Sequence, residues 1–197
     1  MKKAFLLAAI LFISVVSTAC INNFAVQELN NKAKDFMDKG DYASAIERLK
    51  SSVDLDGSIF ETRYNLAVAY TKAEDYSNAI QAYNDAIKLN PDFPDAYYSL
   101  AVCEENLAKD IISGEVIVND DDTIQKASET EQEADDNSQA ENKELSQSSK
   151  KILTSLLGNA ISDYRLYLDK NETNDDRAYI EDKVKELEML LAKYTVK

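Results

Sequence analysis

The sequence predicts an all-α chain assembled from helix pairs, and three observations carry that prediction. Residue type returns every 34 positions: Ala33, Ala67 and Ala101, Tyr42 and Tyr76, Ala45 and Ala79, Ile46 and Ile80. Within each period the apolar residues fall three or four apart, the spacing of one helix face. Gly and Pro number only four and two in 197 residues, and no segment alternates convincingly like a strand. A chain of this length supports one modest, elongated all-α domain.

The N-terminus begins with Lys2-Lys3, a mostly apolar run from Ala4 to Val16, and then Ser17-Thr18-Ala19. Basic start, short apolar stretch and small residues before a cut define a secretory leader over 1–19. The apolar run falls short of the roughly 20 residues that a membrane span needs. Cys20 directly behind Ala19 resembles the lipobox of bacterial lipoproteins, in which that Cys is acylated after export. Ser17 stands where Leu or Val is usual, so ordinary leader cleavage is an alternative. The other readings of Cys20 are a free thiol or a disulfide to Cys103 in an oxidising compartment. Cys103 itself, among Leu100, Ala101 and Leu107, reads as a small buried hydrophobe. Residues 20–25 form the expected linker, and Ile21 to Ala25 extend over roughly 17 Å at most. Ile21 rather than Asp after Cys20 suits outer-membrane sorting under the rule known for some Gram-negative bacteria. The expected location is therefore the cell envelope, held by lipid.

Helix pairs fill 26–112. The first runs from Val26 to Ile59, with Ala33 and Phe36 on its first helix, a Gly40-Asp41-Tyr42 turn, and Ala45, Ile46, Leu49, Ser52 and Val53 inward on its second. In the second, Phe60 to Phe93, Leu66, Ala67 and Tyr70 share one face and Ala79, Ile80, Tyr83, Ala86 and Ile87 share the next. The alternation of small and large residues suits close-packed helices, and Pro91 ends the second helix. This pattern closely resembles the tetratricopeptide repeat, which implies a short right-handed α-solenoid of about three helix pairs that binds other proteins.

The third pair is split. Pro94 opens a first helix carrying Tyr97, Leu100, Ala101, Glu104, Leu107 and Ala108. The partner alanine is due near position 113, but the Ala-Ile pair comes at Ala160-Ile161, 47 residues later. Ile111 and Ile112 prolong the first stripe, and Ile152, Leu153, Leu156 and Leu157 the second, predicting two overlong antiparallel helices. Between them, residues 113–149 hold eleven acidic side chains against two lysines, with no aromatic and no Pro. Such a segment buries too little apolar area to offset its ordering entropy, so a flexible acidic insertion is expected. Val116-Ile117-Val118 is its single apolar cluster, able to dock or to stay loosely ordered. The rest, 150–197, holds the second helix of the third pair and a last helix. There Ile180, Val184, Leu187, Leu191 and Tyr194 form one stripe behind a capped start at Thr173–Asp176. That stripe predicts a cap over the open hydrophobic end, with a dimer seam as the alternative.

Charge and composition narrow the function. Loss of Lys2 and Lys3 with the leader moves the net charge from −14 to −16, a surface that repels nucleic acid. The chain has no His, which removes the commonest general base and metal ligand. Neither a zinc-type Cys cluster nor a Gly-rich phosphate loop occurs. Asn119–Asp122 fails as a calcium loop, because Ile124 and Gln125 fill slots that need an oxygen ligand and Gly. Glu104 and Glu105 read as solvated or capping charges. No catalytic residue, cofactor or metal is expected.

The resemblance implies a partner-binding concave face on the first helix of each pair. Residue by residue it falls on Asn30, Lys34 and Met37; on Tyr64, Val68, Thr71 and Lys72; and on Tyr98, Val102 and Glu105, with Tyr64 and Tyr98 as aromatic anchors. For Tyr64, Val68 and Val102, packing against neighbouring helices is the alternative. The basic clamp that some family members use for carboxyl tails is not matched, since Asn65 fits one of its slots but Asp95 occupies another where a cation is expected. The implied function is an anchored protein-interaction scaffold. The competing reading is an acidic, cation-attracting surface lipoprotein whose insertion is the working part.

Overall fold

The computed structural model describes residues 23–127, 145–171 and 175–195, which divide into two compact units, one ending at Asp75 and one from Tyr76 onward.

Three helices make the N-terminal unit: α1 (23–38), α2 (Tyr42–Leu55) and α3 (Phe60–Lys72). Helix α1 buries Val26 and Ala33. It stops at Gly40, whose φ of +74° lets its N–H reach the Met37 carbonyl while Asp41 N–H reaches that of Phe36. The Asp41 carboxylate then caps α2 by accepting the Ser44 N–H at 3.1 Å. Ala45, Leu49 and Ser52, at three-to-four spacing, form the buried stripe of α2, and α3 buries Thr62, Leu66, Ala67 and Ala69. Arg63 Nε donates to the Gly57 carbonyl at 2.7 Å and fastens the connecting loop. One period after Gly40, Glu74 occupies the left-handed turn position at φ +56° without the freedom of Gly. Because α1 already begins at residue 23, it takes up part of the expected 20–25 linker.

The C-terminal unit contains α4 (Tyr76–Leu89), α5 (Pro94–Ser113), strands β1 (Val116–Val118) and β2 (Ile124–Lys126), α6 (Gln147–Lys170) and α7 (Arg177–Thr195). Helix α4 ends two residues before Pro91, and α5 starts on Pro94 as its first-turn residue. At 20 and 24 residues, α5 and α6 are the two overlong helices that the split repeat requires. They pack along each other through one apolar cluster that includes Leu107, Ile111, Leu153, Leu157, Ala160 and Tyr164. Ile180, Val184 and Leu187 of α7 close this core, with Leu191 and Tyr194 against its edge, as the stripe predicted. At the start of α7 the Asp176 backbone carbonyl accepts the Ile180 N–H, while residues 172–174 of the expected capped start lie outside the described residues.

Of the two alternatives for Val116-Ile117-Val118, the described residues of the insertion take the docked one. Strands β1 and β2 pair antiparallel, with Val116 opposite Lys126, Ile117 opposite Gln125 and Val118 opposite Ile124. Val118 is buried in the α5–α6 cluster, and Val116, Ile124 and Leu145 pack against it. The apolar ends of two overlong helices create a surface that these residues cover, and that burial opposes the entropy which argued for disorder. Helix α6 also starts before the expected boundary at 150, where the Ser146 hydroxyl accepts the Ser149 N–H at 3.0 Å. The expectation for 128–144 lies outside the described residues.

Candidate functional site

In the N-terminal unit the candidate face is carried by α1 and α3. Asn30 Nδ2 donates to Thr62 Oγ1 at 2.9 Å, with Thr62 fully buried, so Asn30 ties α1 to α3. The Thr71 hydroxyl donates to the Ala67 carbonyl one turn back. Tyr64 stacks on Phe60 with centroids 5.8 Å apart, a contact within one helix that leaves the tyrosine half-buried. Met37 and Val68 are also half-buried, and Lys34 and Lys72 are exposed. Lys34 binds Asp38 at 2.7 Å, and this hydrogen bond and charge raise its pKa above the ordinary lysine value. The face thus offers an apolar set, Met37, Tyr64 and Val68, with a lysine on each helix. Asn30 and Thr71 are engaged inside the unit.

The corresponding residues of α5 have a different environment. The Tyr98 ring meets Tyr164 edge-on at 5.7 Å and Tyr167 at 5.2 Å, and burial raises its phenol pKa. Val102 packs against the same core. Glu105 is 5% exposed. Its Oε1 accepts from Lys109 at 2.6 Å and Lys183 at 2.9 Å, and its Oε2 from the Tyr164 hydroxyl at 2.9 Å. Burial alone would push this carboxyl up, but the bonds from Lys109, Lys183 and Tyr164 hold it below the ordinary range. Glu104, at 2% exposure, is more deeply buried still. Burial and the facing Asp163 carboxyl push its pKa up to about 9. The expectation that Glu104 and Glu105 are solvated is therefore corrected: both are buried, Glu105 bonded to Lys109, Lys183 and Tyr164, and Glu104 facing Asp163. A signal for Glu104 existed in the sequence, since it falls on the stripe of Leu100, Ala101, Leu107 and Ala108.

The acidic run after β1 does local work. Asp121 Oδ1 accepts from both Thr123 N–H and Thr123 hydroxyl, Asn119 Nδ2 donates to Thr123 Oγ1, and Asp122, at φ +63°, pairs with Lys151 of α6. Among the described residues no group of three acidic, His or Cys side chains is placed to hold a metal. A groove of about 590 Å³ runs between α6 and α7. Its cations are engaged: Arg165 with Glu188, Arg177 with Glu181 and the Leu168 carbonyl. Cys103 is completely buried on α5, while Cys20 lies outside the described residues. No helix among those residues is long and apolar enough to cross a membrane.

Each unit is built from helices that bury small residues, Ala33, Ala45 and Ala67 in the first and Ala86, Ala101 and Ala160 in the second, as an all-α helical-repeat fold does. Residues 60–93 match the family model of the tetratricopeptide repeat. Comparison with curated protein sequences finds no significant match. Among solved structures, the chain is similar in fold to the Arabidopsis OM64 TPR domain, at 13% identity and a TM-score of 0.56, covering 84% of this chain and 98% of that one. It is similar to the second TPR domain of human RPAP3 in complex with an HSP70 peptide, at 16% identity and a TM-score of 0.53, covering 83% and 98%. It is also similar to the Yersinia enterocolitica type III secretion chaperone SycD in complex with a peptide of the translocator YopD, at 12% identity and a TM-score of 0.52, covering 86% and 94%. Identities this low establish the fold alone.

Proposed function

We propose that this chain is a lipid-anchored docking scaffold of the bacterial cell envelope. A protein partner is held on the α1–α3 face, and no step of chemistry is performed. The observation that carries the reading is the half-buried apolar set Met37, Tyr64 and Val68, presented by two helices of a repeat fold and flanked by Lys34 and Lys72. Aromatic and apolar side chains already ordered by their own helix give contact area at little entropic cost. The SycD and RPAP3 complexes, with peptides bound to the same fold, support a peptide or protein segment as ligand.

Tyr98, Val102 and Glu105 contribute by stiffening the C-terminal unit, since each is engaged with α6, α7 or the core. The internal use of Asp121 and Asp122 favours the scaffold over a cation-attracting surface. Anchoring rests on Cys20 behind Ser17-Thr18-Ala19, and outer-membrane placement on Ile21.

Two substitutions separate the parts of this proposal. Cys20→Ala abolishes labelling by fatty acid and releases the chain from membranes; equal retention of mutant and wild type contradicts the anchor. Joint replacement of Tyr64 and Val68 by Ala weakens partner binding at least about tenfold while helicity is retained. Unchanged binding contradicts the assigned face.

A further inference from the structure

We propose that Glu104 and Asp163 share one proton across the α5–α6 contact, forming a clasp at the root of the insertion-bearing helix pair that loosens when both carboxyls ionise.

The geometry starts from Glu104, which occupies a core position of α5 between Leu100 and Leu107. Its Oε2 is buried, and with both carboxyls ionised no donor reaches it. From α6, Asn159 and Asp163, one helical turn apart, face it, and the Asn159 amide supplies a hydrogen bond. Helix α4 brings Tyr76 and Ile80 to this core, neither of them cationic. Lys109 and Lys183, which reach the neighbouring Glu105, are bonded to that carboxylate. Two carboxylates left facing each other here, Glu104 buried and Asp163 half-buried, would be like charges in a poorly solvated contact.

A proton removes the conflict. Protonated Glu104 donates to the Asp163 carboxylate, which satisfies the orphaned oxygen and turns repulsion into a bond between helices. A hard metal ion is the poorer occupant, because it takes six or more oxygens and the site offers two carboxyls. Burial raises both groups, so the pair ionises in two steps above the ordinary carboxyl range.

The linkage has a definite sign. Between those steps the folded chain holds a proton that the unfolded chain has released, so the folding constant falls as pH rises, by up to about tenfold per pH unit. The test uses the whole chain, with carbon-13 NMR of the side-chain carboxyls and urea unfolding across that pH range. The Glu104 carboxyl is expected to remain protonated at neutral pH. Glu104→Gln is expected to remove up to one proton of linkage, because its amide donates to Asp163 at every pH. Asp163→Asn serves as the second variant if the first fails to fold. Ordinary acidic titration of Glu104, or equal pH slopes in wild type and the folded variant, overturns the proposal. So does stabilisation of wild type by added calcium or magnesium that Glu104→Gln abolishes, since that assigns the site to a metal.

Discussion

Removing Lys183 probes how the buried Glu105 is tolerated. The Glu105 side chain is 7% exposed and the Lys183 side chain 19%, so this is the more deeply buried of its two lysine pairs; Lys109 is 58% exposed. Breaking a buried pair from one side typically costs 3–5 kcal/mol, because the other charge stays buried. Here Lys109 and the Tyr164 hydroxyl remain, which reduces the expected loss for Lys183→Met to about 2–3 kcal/mol. Tyr164→Phe keeps the ring against Tyr98 and removes one bond to a charged acceptor, for a loss of about 1.5–3 kcal/mol. The pH dependence follows from the sign of the shift. Glu105 is lowered when folded, so its stabilisation is present above the unfolded carboxyl range and is lost as pH falls through the folded value. Lys183→Met should therefore lose less stability on acidification than wild type. Urea unfolding followed by circular dichroism at neutral and acid pH measures both effects. A loss below about 0.5 kcal/mol at neutral pH, with an unchanged acid response, would refute the claim that α7 is fastened through this carboxylate.

Two further outcomes follow from the packing. Val118→Ala removes two buried methyl groups from the docked hairpin and should lower stability by about 1–3 kcal/mol; a neutral result by the same unfolding assay returns the segment to a loose loop. Gly40→Ala should destabilise by about 1 kcal/mol despite open space around the site, because φ is +74°. Glu74→Gly, one period later, should be neutral to stabilising by about 0.5 kcal/mol in thermal unfolding, and losses of equal size at both sites would show that φ is not the cause.

The helix pairs were legible because burial in a repeat fold is periodic. Ala33, Ala67 and Ala101 are each essentially inaccessible, one period apart. The length of α5 and α6 was legible for the same reason, since Ile111 and Leu153 prolong stripes already in phase. The hairpin was not, because its stability comes from a surface formed only when α5 and α6 pair, and composition registers only the acidic majority of the insertion. Glu104 and Glu105 were misread because adjacent identical residues point to different surroundings on a helix. One meets Asp163 and the other Lys109 and Lys183, and neither partner is marked in the sequence. On the candidate face, repeat position located Tyr64 and Tyr98 equally well. It could not register that Tyr164 and Tyr167 would be packed against Tyr98.

The most direct test of the scaffold claim is site-specific photocrosslinking in intact envelopes, with the reactive residue placed at Tyr64, at Val68 and, as a control, at exposed Leu166 of α6. The account predicts that positions 64 and 68 capture the same protein, that 166 does not, and that Met37→Ala weakens the capture from 68. Equal capture from all three positions, or none from 64 and 68, would contradict it.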